Sequence, residues 1–147
     1  MPHNHEWLAR IKAVEREHSA MRLAADHLLE AAQADPSLIR GDLRRRDIVH
    51  AAAGLDGTYV IRLFAEFETG LRQYCETTRA SHPPMRDLVN GVAAMCGVPD
   101  DRRDNVHLVR AYRNSLVHER EEEVEVVPIN VARGYLCTFF SFLPPRW

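Results

Sequence analysis

Apolar and small side chains at Ile11, Val14, His18, Met21, Ala25, Leu28 and Ala32 recur three and four residues apart. That spacing confines residues from about 5 to 34 to one long amphipathic helix. Asp35-Pro36 should end it, because proline disfavours the helical conformation of the residue before it. The same period returns from about Leu55 to Thr78, where Tyr59, Leu63, Phe64, Phe67, Leu71, Tyr74 and Cys75 form a wide apolar face. This predicts the central helix of the core. After the breaker Ser81-His82-Pro83-Pro84, a shorter helix is expected on Met85, Leu88, Val89, Val92 and Met95, ending at Gly97. A further helix from Asp100 to about Glu119 has an expected core face of Leu108, Val109, Tyr112 and Leu116. Ile129 to Leu143 closes the series, with Val131, Tyr135, Leu136, Phe139 and Phe140 apolar and Pro144-Pro145 behind them. No alternating run is long enough to build a sheet, and no repeat is present. The expected fold is therefore all-α, an antiparallel bundle of about five helices forming one domain over residues 1–147.

Residues 36 to 54 read as a connector with a short helix: Arg40-Gly41-Asp42 suggests a turn, Arg44-Arg45-Arg46 is a basic cluster, and Ala51-Ala52-Ala53-Gly54 is helical and then broken. On the polar side of the central helix, Arg62/Glu66 and Glu68/Arg72 are each four apart, the spacing of surface ion pairs. His18 falls on the apolar stripe, which predicts a packed or interface histidine.

Charge narrows the partners this bundle can hold. The 147 residues carry a formal net charge of −2, so no global basic field exists to grip long nucleic acid, and a polyanion would need a local patch. Nearly all cationic residues are Arg, with Lys12 the one Lys. Cys75, Cys96 and Cys137 are too widely spaced for a zinc or redox pair, and the expectation is three buried or partly buried thiols in a reducing compartment. The N-terminus lacks the apolar core of a signal peptide, and no run approaches membrane-spanning length. A cytoplasmic protein without a membrane partner is expected.

Arg113-Asn114-Ser115-Leu116-Val117-His118 places a guanidinium, an amide and an imidazole near the end of a helix. An imidazole moves protons at neutral pH, a guanidinium neutralises phosphate charge through a planar fork, and an amide positions a neighbour. Together they suit phosphodiester chemistry without a metal or other cofactor. An Arg five residues before a His also occurs at Arg45/His50 and Arg102/His107. The first of these sits in a charged, loop-like stretch and the second at a helix start, whereas the third follows an apolar-periodic helix and has Asn114 inserted. Asn114 and His118 are expected to share a polar face with Ala111, with Arg110 and Arg113 beside it. Residues five apart on a helix differ by about 140° in direction and about 7.5 Å in height, so Arg113 and His118 would not converge within one protomer.

Three passages together resemble the HEPN family of all-helical domains. Tyr59 to Arg72 is similar to the family's aromatic-rich central helix with its following Glu. Arg113 to His118 matches the Arg-Asn-x-x-x-His signature, and the end of the last helix, Phe140-Ser141-Phe142-Leu143-Pro144-Pro145, is similar to family C-termini. The resemblance implies a metal-independent endoribonuclease acting as a symmetric homodimer on RNA or a nucleotide, with an antitoxin protein as a further partner. Arg113, Asn114 and His118 would be its catalytic residues, with Glu68 buttressing Arg113 and Arg110 in support. The implied reaction is attack of the 2′-hydroxyl on the adjacent phosphate. Two departures from the family pattern stand out: the run Glu119, Glu121, Glu122, Glu123 sets negative charge just past His118, and Arg120 occupies the position where some toxin members have a Tyr.

Other classes compete. A non-catalytic HEPN-like module that binds a nucleotide, RNA or protein predicts the same fold and dimer. Arg46 to Tyr59, with its Ala-Ala-Gly-x-x-Gly-Thr run, resembles the helix-turn-helix of TetR-type repressors, the preceding arginines meeting DNA phosphates. A metal site is not expected: His3-x-His5 lies at the terminus, and His107 stands about three turns from His118.

Overall fold

The computed structural model describes residues 3–78, 82–118 and 123–147, which form five α-helices: α1 (Asn4–Ala34), α2 (Arg45–Thr78), α3 (Met85–Cys96), α4 (Asp100–Val117) and α5 (Ile129–Phe140). A 3-10 turn, Pro36–Leu38, follows α1, and there is no strand among the described residues. The all-α bundle read from the periodicity is the observed architecture.

Helix α1 runs antiparallel to α2. His18 meets Asp56, Glu17 meets Arg62, and Trp7 lies over Gly70, so positions fall along one helix as they rise along the other. A Cβ at Gly70 would come 2.6 Å from Phe140 and 3.0 Å from Trp7, so the absence of a side chain there lets two aromatic rings close over α2. Phe67 sits at the centre, fully buried, with Phe139 and Phe140 meeting it edge-on at ring distances of 5.5 and 5.2 Å. Helix α3 adds Leu88, Val89 and Val92, and α4 adds Val106 and Val109. Helix α3 stops at Gly97, as expected, whose φ of +66° suits a residue without a Cβ. At the chain ends, the Asn4 side chain donates to the carbonyls of Phe140 and Leu143 at 2.8 and 3.2 Å, tying the start of α1 to the end of α5.

Three expectations need correction. The stretch 36–54 is not a connector throughout, because α2 starts at Arg45 and passes through Gly54 and Gly57 without a break. Asp47 starts it, accepting from the Arg44 amide at 2.8 Å, and packing against α1 outweighs the cost of about 1 kcal/mol per glycine. With no turn between Arg46 and Tyr59, the helix-turn-helix is not formed. Second, Arg62 pairs with Glu17 of α1 at 2.6 Å rather than with Glu66, while Glu68 and Arg72 do pair as expected. Third, the stripe of α1 is only half buried. No residue of α1 after Val14, and none of α2 before Val60, joins the core cluster. The distal halves pack chiefly on each other, leaving Met21 and Leu28 exposed around an apolar groove of about 310 Å³ shared with Leu43, Ile48 and Leu55.

Candidate functional site

Helix α4 carries the Arg-Asn-x-x-x-His sequence at its C-terminal end. Its core face is Val106 and Val109, and Leu108 and Leu116, expected to be buried, are exposed. Positions 106, 109 and 113 follow the three-and-four spacing of one helical face, so Arg113 continues the buried stripe instead of lying beside a polar one. Its Nε is buried without a hydrogen-bond partner among the described residues, while Nη1 donates to the Asn114 side-chain oxygen at 3.0 Å. The amide therefore orients the guanidinium, leaving its remaining N–H groups at the end of the core stripe. His118 is the first residue outside the helix, with φ −116° and ψ 119°, its amide closing the last turn on the Asn114 carbonyl at 2.9 Å. The helical extrapolation from Arg113 to His118 thus fails at its last step: the imidazole leaves α4 on extended backbone and is exposed.

The two supporting residues, Glu68 and Arg110, have partners of their own among the described residues. Glu68 is engaged by Arg72 at 2.9 Å, and Arg72 in turn donates to the Pro83 carbonyl, so Glu68 braces the approach to α3. Arg110 Nε donates to His107 Nδ1 at 3.2 Å, and His107 Nε2 bonds Asn90 of α3 at 2.7 Å. This fixes the neutral tautomer with the proton on Nε2. Of the run Glu119, Glu121, Glu122 and Glu123, the first three lie outside the described residues, and Glu123 is exposed. Among the described residues, no group of three His, Cys, Asp or Glu side chains could hold a metal ion.

Burial, then the positive charge of Arg110, push the His107 pKa below its ordinary 6.5. As the pH falls, the unfolded chain therefore takes up this proton first. Stability should be undiminished above about pH 6.5 and decline below it until the folded ring also titrates. Urea titrations at pH 7.5 and 5.5 should show a smaller loss in His107→Gln than in the parent, and equal losses would refute it.

A cluster that the sequence did not flag lies across from α4. His18 Nε2 and Asp56 Oδ1 are 2.6 Å apart, and Arg22 Nη2 bonds the same oxygen at 3.0 Å. The Tyr59 ring meets the His18 ring edge-on. Desolvation would raise the Asp56 pKa, but the bonds from His18 and Arg22 outweigh it and hold the carboxyl below its ordinary value. Asp56 borders a cleft of about 480 Å³ between α2, α4 and the 126–128 segment, walled by Gly57, Ile61, Tyr112, Leu116 and Val127. At Gly57 a Cβ would lie 3.1 Å from Leu116, so this glycine sets how closely α4 crosses α2. The one available sequence signal was His18 itself, since a histidine on an apolar stripe calls for a polar partner.

No family model matches the chain, and no curated protein or solved structure is matched to it. The fold and the site define an all-α protein whose last-but-one helix presents an oriented arginine and an exposed histidine. No helix among the described residues is long and apolar enough to cross a membrane.

Proposed function

We propose that this chain is a metal-independent endoribonuclease of the HEPN kind, acting as a symmetric homodimer. The observation that carries it is the Arg113–Asn114 hydrogen bond, which pre-orients a partly buried guanidinium one turn before the exposed His118. A guanidinium whose Nε is buried with no partner among the described residues costs stability, which fits a residue retained for what it does to a ligand. In the reaction, the 2′-oxygen bonds to phosphorus and the bond to the 5′-oxygen breaks. The 2′-hydroxyl proton is removed and a proton is delivered to the leaving 5′-oxygen, giving a 2′,3′-cyclic phosphate and a 5′-hydroxyl. His118 serves as general base or acid, Arg113 stabilises charge growing on the phosphoryl oxygens, and Asn114 holds Arg113. Because Arg113 follows the buried stripe and His118 leaves the helix, a two-fold axis beside α4 would set the arginine of one copy against the histidine of the other.

Incubating purified protein with mixed RNA in EDTA, and mapping the product ends beside His118→Ala, tests this. Cyclic-phosphate ends that vanish in the variant are expected. A non-catalytic interaction module is the second reading, favoured by the exposed apolar groove between α1 and α2. A folded dimer that leaves every RNA intact would select it.

A further inference from the structure

The His18–Asp56 pair is arranged the opposite way round from a catalytic dyad. In a dyad the carboxylate stands behind and the imidazole faces the reactant. Here His18 is buried behind, and Asp56 is the member that reaches the cleft, its side chain 56% exposed. Both bonds to the carboxylate fall on Oδ1, and Oδ2 accepts none among the described residues. The result is an anchored, ionised acceptor at the rim of an otherwise largely apolar cleft, with the Tyr112 ring and Leu116 on the facing wall. Such a combination suits a flat heteroaromatic group that carries hydrogen-bond donors on one edge.

The cleft is also tied to the proposed cleavage site. Tyr112 directly precedes Arg113, and two peptide links separate Leu116 from His118, so their Cα atoms are at most about 7.6 Å apart. We propose that this cleft is a nucleobase subsite selective for guanine, with Asp56 as its specificity-determining residue and Tyr112 as its stacking surface. Guanine alone among the four bases offers two adjacent donors, N1–H and the exocyclic amine, on its pairing edge. Adenine and cytosine set a ring-nitrogen acceptor beside their amine, and uracil flanks its N–H with two carbonyls, so each would turn a lone pair toward the carboxylate.

That the ligand is RNA rests on the ribonuclease reading, so the test reads binding rather than cleavage. Four uncleavable tetranucleotides, 2′-O-methylated and all uridine except for one guanine, adenine, cytosine or uracil, would be titrated against the purified 147-residue chain by fluorescence anisotropy. The guanine probe should bind about tenfold or more tighter than the others, the range expected for a charge-assisted bond. In Asp56→Asn, which keeps an oxygen for His18 and Arg22 but turns a donor toward the cleft, the preference should shrink to within about twofold. Tyr112→Leu, which leaves the His18–Asp56 pair intact, should weaken guanine binding at least about fivefold and covers the case in which the Asn variant does not fold. Equal binding of all four probes, preference for another base, or a guanine preference that survives both substitutions would overturn the proposal. Guanine-selective binding by a protein that cuts no RNA would instead sink the ribonuclease reading and leave the subsite standing.

Discussion

Replacing Phe67 by alanine is expected to destabilise the protein by about 3–5 kcal/mol, the largest loss any single core truncation should give. Phe67 is fully buried, and three rings touch it: Phe64 at 5.6 Å, Phe139 at 5.5 Å and Phe140 at 5.2 Å between centroids. The edge-to-face contacts with Phe139 and Phe140 each add about 0.5–1.5 kcal/mol to the burial itself. The surrounding rings cannot collapse into the space, because Phe140 is wedged over Gly70 and tied through its carbonyl to Asn4, so a cavity remains. Against a total stability of about 5–15 kcal/mol for a domain, the variant should show a large drop in urea midpoint with an unchanged slope. Phe142→Ala, at a ring 38% exposed on the same terminal segment, should cost under about 1 kcal/mol and serves as the control. Equal losses for the two would mean that the aromatic cluster is not the centre of the fold.

The helices were legible because each buries a stripe against more than one neighbour, and burial is what writes a three-and-four spacing into a sequence. Helix α5 and the second half of α2 illustrate this, with Phe67, Leu71, Leu136 and Phe139 apolar where the core demands it. The first turns of α2 were not legible for the same reason. Between Arg45 and Thr58 the helix packs chiefly on α1 and meets α4 where Leu116 crosses Gly57, so alanines suffice, glycines are tolerated, and the composition imitates a loop. Leu116 misled in another way, since an apolar residue at the right spacing lies at a crossing point over Gly57 and stays exposed. At the site, the Arg113 and His118 positions were readable from the motif, but the direction of each was not. Arg113 follows the phase of Val106 and Val109 through the helix, whereas His118 is set free by where α4 stops. The Asp56 anchor depends on a pairing across 38 positions, which no local pattern carries.

Arg113→Met should separate stability from function. The substitution removes a buried Nε that has no partner among the described residues and keeps the aliphatic stem on the core stripe, so the folded protein should be as stable as the parent or more so. Cleavage should fall by about 10²–10³-fold, the loss typical of removing a group that stabilises transition-state charge, and His118→Ala should lose about 10²–10⁴-fold as a missing general acid or base. Arg113→Lys should recover little, because an ammonium cannot both bond the Asn114 oxygen and present a planar fork to phosphate. The two inactive variants also interrogate the dimer. If each active centre takes its arginine from one copy and its histidine from the other, mixing them in equal amounts after subunit exchange regenerates one intact centre in each mixed dimer. Half the dimers are then mixed and one of their two centres works, so about a quarter of the parental activity should return. If arginine and histidine act within one copy, each mixed dimer holds two damaged centres and nothing returns. Full activity in Arg113→Met would remove the guanidinium from the chemistry, leaving its buried Nε as a cost to stability with no functional counterpart.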